Sequence, residues 1–467
     1  MKIKLILSAS LADPLKFDPF MPLSLPILAG VAPDHKYELI DMLRESSRMN
    51  YDDPVDLVGI SIRLTATEEG YKIADEYRRR NVPVILGGSQ VSAAPFQAIQ
   101  HADSVVVGEA ETLWPKILHD VQRNDLKEFY VCSPTTFDPQ GRTLYQLEEL
   151  PDLKGIPIPA RSLFKNKYTF DLVFASRGCP IDCDFCTVTK IFGSKYRMRP
   201  VEEVVNEIAG FSGYYYLLDD TVFGRSSTYD YYLDLYDRIS KLEKRNYWTG
   251  QANLDAASTK EGQEVIRKAV EAGFLYAAVG IESINKKVLE KNRSISKMGI
   301  RDKNNVIPRM KESIAFMQDQ GIIISGWFAI GYEDDTIDAY YRTYEFCEET
   351  NILPVFTPLR ALPGSRLYER LEKEGGLQDN NRNVTNVPHP VMTNREVMNA
   401  LEYIAERGYS NSQIVKRTGF YMNKFTRENF NSVGDRIHKT IFAYITQKRM
   451  RKIIQNENNK LQKKLQR

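Results

Sequence analysis

Cys179, Cys183 and Cys186 fall within eight positions of the stretch RGCPIDCDFCTVTK, while the rest of the 467-residue chain holds two more cysteines, Cys132 and Cys347. Five is an odd number, and three thiols this close cannot pair freely, so a disulfide framework is not expected. The three could be structural thiols, zinc ligands or cluster ligands. A structural zinc site wants four ligands, and no fourth Cys or His lies near in sequence; zinc would need a distant donor such as His101 or His389. A cubane iron-sulfur cluster held by three thiolates instead leaves one iron open for an exogenous ligand. The position of the cysteines, directly behind a predicted strand, favours the cluster.

The elements that must position these thiols form two alternating series. KIKLILSA, VDLVGISI, VPVILGG and DSVVVGE are nearly continuous Val/Ile/Leu runs separated by amphipathic segments such as EEGYKIADEYRRR. That pattern predicts a doubly wound parallel sheet over residues 1–130, with ligand chemistry at the carboxyl ends of its strands. A Pro-containing linker, 131–168, follows. TFDLVFAS, YYYLLDD, YWTGQA, LYAAVGI, IIISGWFAIG and PVFTPL then alternate with helical stretches and predict a partial (β/α)6 barrel over 169–376. The cysteines follow its first strand, at the rim where barrels place their chemistry. Residues 377–467 predict a helical C-terminal region.

With these pieces in place, C-x3-C-x2-C with Phe185 before the last cysteine resembles the signature of the radical S-adenosylmethionine (SAM) superfamily. The resemblance implies a 4Fe-4S cluster on Cys179, Cys183 and Cys186, whose open iron is chelated by SAM and whose electron cleaves SAM to a 5′-deoxyadenosyl radical. It also implies SAM contacts from Phe185, from Asp219 and Asp220 in YYYLLDDTVFG, from Gln251 in QANLD, from Glu282 in AVGIES and from Gly331 in WFAIGYED. Taken alone, the two aspartates would pass for a helix cap and a solvated turn.

VDLVGIS, VPVILGGSQVS and HADSVVVGEAETLWPKIL resemble the cobalamin-binding domain that precedes the barrel in B12-dependent radical SAM enzymes. On that resemblance Ser61, Thr65, Gly87, Gly88, Gly108 and Glu109 contact cobalamin. Two features depart from the relatives: no D-x-H-x-x-G supplies a histidine to cobalt, and Gln90 stands where a histidine often follows the Gly pair. LRALPGSRLYERLEKEGGL and NVTNVPHPVMTNREVMNALEYI are similar to the carboxyl-terminal pattern of the BchE/P-methylase-like group, including the hopanoid C-2 methylases. The implied activity is cobalamin-dependent methyl transfer to an unactivated carbon, or phosphorus, of a small molecule or lipid. Reduced ferredoxin or flavodoxin is the implied electron donor. The alternative is radical coupling, cyclisation or oxygenation without methyl transfer, the B12-like domain being structural.

Composition narrows the partners. A hydrophobic content of 42% with 27% charged residues fits a soluble globular chain, and a net charge of +2 gives no global field for nucleic acid. MKIKLILSASLADP superficially resembles a secretory signal, but its apolar core is short and a buried first strand is the expectation, with a cytoplasmic location. From Ile441 onward eight basic residues (Lys448, Arg449, Arg451, Lys452, Lys460, Lys463, Lys464 and Arg467) face Glu457 alone. A solvated helical face explains them, or, with Ile445, Met450, Ile453, Ile454, Leu461 and Leu465 between them, peripheral contact with anionic lipid.

Overall fold

Strand β1, Lys2–Leu7, is apolar enough to be buried on both faces and becomes a central strand rather than a leader-like segment. Lys4 is fully buried within it, its ammonium bonded to the Asn50 carbonyl at 3.0 Å and lying 3.4 Å from Asp53. The computed structural model describes residues 1–9, 19–45, 49–134, 144, 147, 149–299, 306–378, 385–425 and 432–466. Much of the predicted linker, and Arg467 of the basic tail, lie outside them.

The chain divides into two units. The first comprises Met1–Pro180, Cys186–Glu203 and Leu362–Glu369; the second comprises Ile181–Phe185, Val204–Ala361 and Arg370–Arg467. In the first, β1 is joined by β2 (Lys36–Asp41), β3 (Leu57–Ser61), β4 (Val84–Gly87), β5 (Ser104–Gly108) and β6 (Phe129–Cys132). They form one parallel sheet in the order β2-β1-β3-β4-β5-β6. The chain reverses direction of growth at the β1/β3 boundary, the switch point at which such sheets open a crevice beyond their carboxyl ends. Separate apolar clusters fill the two faces, one around Ile60, Tyr77 and Leu86, the other around Leu5, Trp114 and Ile117. This unit also holds β7 (Phe170–Val173) and a short antiparallel pair, β8 (Ser176–Arg177) with β9 (Arg197–Met198).

In the second unit β10 (Tyr214–Leu217), β11 (Trp248–Ala252), β12 (Phe274–Glu282), β13 (Ile323–Ile330) and β14 (Leu353–Pro358) pair in parallel, each with its predecessor. Helices connect them. Lys260–Glu271 starts at an N-cap, Thr259, whose hydroxyl accepts from the Gly262 N–H, and carries a buried Val265, Ile266, Ala269 and Val270 face at helical spacing. All six predicted barrel strands form. Gln251 lies within β11, inside the predicted strand YWTGQA.

Three further helices, Asn394–Gly408, Asn411–Lys424 and Val433–Leu465, follow the sheet. The first starts at a capping box of Thr393 and Glu396, and behind its end the Tyr409 hydroxyl donates to the Pro354 carbonyl of β14 at 2.8 Å. The other two close the amino ends of the strands: Tyr421, Phe425 and Ala443 pack on Leu275, Ile323 and Leu353. Among the tail residues available to lipid, Ile445 is exposed, Met450, Ile453, Ile454 and Leu465 are half-buried and Leu461 is buried. No helix among the described residues is long and apolar enough to cross a membrane.

Candidate active site

In the first unit the residues expected to meet cobalamin sit at three neighbouring strand ends. Ser61 closes β3, with exposed Thr65 in the turn after it; Gly87 closes β4 and Gly108 closes β5. Gly88 has φ +100°, and a Cβ there would lie 2.8 Å from both N and O of Ile62, so only glycine lets the chain leave β4 this way. The Gly108 N–H donates to the Ser92 hydroxyl at 2.9 Å.

Glu109 is different. It is buried, and its carboxylate is shared between Arg177, at 3.0 Å, and Arg197. Arg177 also bonds Glu111. Burial alone would push the Glu111 carboxyl up, but the Arg177 guanidinium overrides it and leaves that carboxyl below the usual glutamate range. The Glu109 carboxylate is thereby committed to two guanidiniums that flank the cysteine stretch on β8 and β9.

The loop from Gly178 to Cys186 carries the three thiols. Its amino-terminal side is anchored by the Cys179 N–H on the Gly193 carbonyl at 3.2 Å and by the Thr189 hydroxyl on the Cys179 carbonyl at 3.1 Å. Within the second unit, the Asp184 N–H donates to the Asn292 carbonyl at 3.1 Å, and the Tyr332 hydroxyl donates to the Asp184 carboxylate at 3.1 Å. Cys183 is buried; Cys179 and Cys186 are half-buried. No cysteine forms a disulfide. Cys132 and Cys347 are buried thiols whose pKa burial raises, Cys132 to about 11, which suits inert packing. Among the described residues no three His, Cys, Asp or Glu side chains converge to hold a single metal ion. A cubane asks for something else, each thiolate meeting a different iron, and a run of three undisulfided cysteines on one loop supplies the donor set that it requires.

The SAM candidates fall at the carboxyl ends of successive strands: Asp219 and Asp220 after β10, Gln251 near the end of β11, Glu282 at the end of β12 and Gly331 after β13. Asp219 is fully buried and accepts from the Tyr232 hydroxyl at 2.7 Å, so it is no solvated turn. Burial, and secondarily Asp219, push the Asp220 carboxyl up to about 7, against an opposing pull from Lys297. Gln251 is exposed and its side chain meets Tyr216. The Gly331 N–H donates to Asp335 at 3.0 Å, and His389 Nε2 lies 2.9 Å from the Tyr332 carbonyl beside it. His389 Nδ1 accepts from the N–H groups of Val391 and Met392.

Glu282 marks a break in the ladder. The β12/β13 register shifts between Gly280 and Glu282, and Glu282 has φ +64°. This bulge turns its carboxylate onto the Lys297 ammonium at 2.7 Å. A Cβ at Gly280 would stand 2.7 Å from the same carboxylate oxygen, so the glycine leaves room for the pair. Lys297 also lies 5.7 Å from the centroid of the Phe185 ring. Asp255 is a further buried acid nearby, pushed up to about 6 by burial although Arg225 sits 3.4 Å away. Lys297 is the functional candidate that the sequence did not suggest: it comes from a short 3-10 turn, Ile295–Met298, with no motif around it.

Comparison with known proteins shows what the chain is similar to. Residues 173–347 match the model of the Radical SAM superfamily. The chain is 26% identical over 377 residues to bacteriochlorophyllide d C-8(2)-methyltransferase of Chlorobaculum tepidum, covering 76% of this chain and 77% of that protein. It is 27% identical over 352 residues to hopanoid C-2 methylase of Rhodopseudomonas palustris, covering 72% and 61%. The structure resembles that of OxsB, a cobalamin-dependent S-adenosylmethionine radical enzyme solved with aqua-cobalamin and S-adenosylmethionine bound. The TM-score is 0.65 at 14% identity, covering 100% of this chain and 80% of that one. That likeness shows the α/β fold with its N-terminal Rossmann-like sheet. Residues 173–347 thus carry a radical SAM domain, and relatives named as methyltransferases align along most of the chain.

Proposed function

We propose that the chain is a cobalamin-dependent radical SAM methyltransferase acting on an unactivated carbon, or phosphorus, of a small molecule or lipid. The observation that supports this most is the union in one chain of a radical SAM domain with an N-terminal parallel sheet of the 2-1-3-4-5-6 order. The bacteriochlorophyllide and hopanoid relatives are named as methylating enzymes, and OxsB binds cobalamin. When bound, the cluster supplies the electron that cleaves SAM and the cobalamin supplies carriage of the methyl group.

The residues of this chain have narrower tasks. Cys179, Cys183 and Cys186 hold the cluster and leave one position open. Asp219, Asp220, Gln251, Glu282 and Gly331 supply carboxylate, amide and backbone groups along one rim to orient SAM; the Glu282–Lys297 pair fixes the carboxylate before the ligand arrives. Ser61, Thr65, Gly87, Gly88 and Gly108 line the strand ends where cobalamin would lie. Reduced ferredoxin or flavodoxin in the cytoplasm is the electron source that fits, with peripheral contact to a membrane.

The commitment of Glu109 to Arg177 and Arg197 favours a second reading, radical chemistry on a chain whose first sheet is purely structural. Anaerobic reconstitution with iron, sulfide and hydroxocobalamin, followed by incubation with SAM and a reductant, separates the two. Methyl transfer predicts retained cobalt and both 5′-deoxyadenosine and S-adenosylhomocysteine. The former product alone, without cobalt, overturns the methyltransferase reading.

A further inference from the structure

Of the thirteen large apolar side chains that stand exposed among the described residues, seven lie on the last two helices. Val433, Ile437, Ile441 and Ile445 recur every four residues along Val433–Leu465, at 72, 55, 52 and 43% exposure, and therefore share one face. Tyr444 lies on the same face, and Val415 and Met422 project from the neighbouring Asn411–Lys424. The two helices run side by side in opposite directions. Arg436 donates to the Met422 carbonyl at 3.2 Å, while Lys448 and Arg451 donate to the Asn411 side-chain oxygen at 3.3 and 3.0 Å. These bonds go to neutral oxygens, so they leave the cationic charge uncompensated.

The apolar stripe thus runs straight into Lys448, Arg449, Arg451 and Lys452. The opposite face of the same helix is internal: Asp435, Lys439, Ala443 and Gln447 are buried. Among the described residues, nothing in the packing requires the stripe to be apolar. We propose that this two-helix face docks the chain on an anionic lipid bilayer, its apolar side chains entering the headgroup boundary and its basic flank meeting the lipid charge. Charge selects this occupant over a second copy of the chain, since two such faces brought together would oppose like charges.

Of the apolar residues suggested by the tail sequence, Ile445 lies on this face, and the rest of the stripe comes from Val433, Ile437 and Ile441 ahead of the tail. The face also sits by the amino ends of the strands, where His438 shares a hydrogen bond of 2.7 Å with Tyr214 and Asp435 one with Tyr247. Docking therefore leaves the carboxyl ends of β10 to β13 clear of the bilayer. The inference needs neither cluster nor cobalamin and stands apart from the proposed reaction.

The test is sedimentation of the full chain with vesicles of phosphatidylcholine, alone or mixed with phosphatidylglycerol. Binding should require phosphatidylglycerol and weaken as salt is raised. It should fall about tenfold or more in Ile437→Glu/Ile441→Glu and severalfold in Arg451→Gln/Lys452→Gln. Helicity by circular dichroism and reductive SAM cleavage should be unchanged in both, which separates loss of docking from loss of fold or of chemistry. Wild-type chain that stays in the supernatant, or a double glutamate variant that binds as well as wild type, overturns the proposal. So does a dimer that the glutamate variant dissolves in the absence of any vesicle binding.

Discussion

Asp220 offers the most quantitative handle on the barrel rim. Burial and the adjacent Asp219 hold its carboxyl at about 7, whereas an unperturbed aspartate titrates near 3.8. Between those values the folded chain keeps a proton that the unfolded chain has lost, so unfolding becomes easier as pH rises. The stabilisation is complete below about pH 4 and gone above about pH 7. From about pH 5 to about pH 8 roughly two pH units of this window are crossed, at about 1.4 kcal/mol each, or about 3 kcal/mol. Asp220→Asn keeps the shape and cannot ionise. Urea denaturation of apoprotein, followed by tryptophan fluorescence, should therefore show the variant gaining about 3 kcal/mol on wild type between about pH 5 and about pH 8. Asp255, pushed up to about 6, contributes a slope of the same sign to both proteins and cancels in the comparison. If the two stabilities keep a constant separation across that range, Asp220 is ionised in the fold and the electrostatics drawn for this rim are wrong.

Three other perturbations address separate parts of the site. Cys183→Ala should lower iron and sulfide content after reconstitution and abolish 5′-deoxyadenosine formation, read by metal analysis and chromatography; a variant with full cleavage activity would remove Cys183 from the cluster. Lys297→Met leaves the buried Glu282 carboxylate without its cation and should cost about 3 kcal/mol, measured by denaturant midpoint; an unchanged midpoint would mean that the pair carries no stability. Gly88→Ala forces a side chain into φ +100° and against the Ile62 backbone, and should cost about 2 kcal/mol or more; an unchanged melting temperature would mean that the loop after β4 has room to move.

What could be read in advance follows physical range. Strands buried on both faces announce themselves as apolar runs, so all six barrel strands and the four inner strands of the first sheet were visible, whereas its edge strands β2 and β6 were not. Rim positions such as Asp219 and Gly331 came from the family resemblance, on segments that the strand pattern put at strand ends. Partners distant in sequence left no local trace. Nothing near Glu109 foretells Arg177 and Arg197, and nothing near Glu282 foretells Lys297. The bulge at Glu282 was hidden because an extra residue leaves the apolar pattern of AVGIES intact. The basic tail was legible as surface from its composition, but which of its apolar residues turn inward depends on helices that it meets only in the fold.

The strand order of the second sheet has a consequence for synthesis. Each strand from β11 to β14 pairs with the one made just before it, so a nascent chain can extend the sheet stepwise as it leaves the ribosome. At every stage the newest strand is an open edge, ready to pair with another chain. That exposure ends only after β14, when the segment after it is translated and Tyr409 takes up the Pro354 carbonyl. A chain stopped before residue 394 would keep its growing edge bare, and such fragments would accumulate as aggregates rather than as a smaller enzyme.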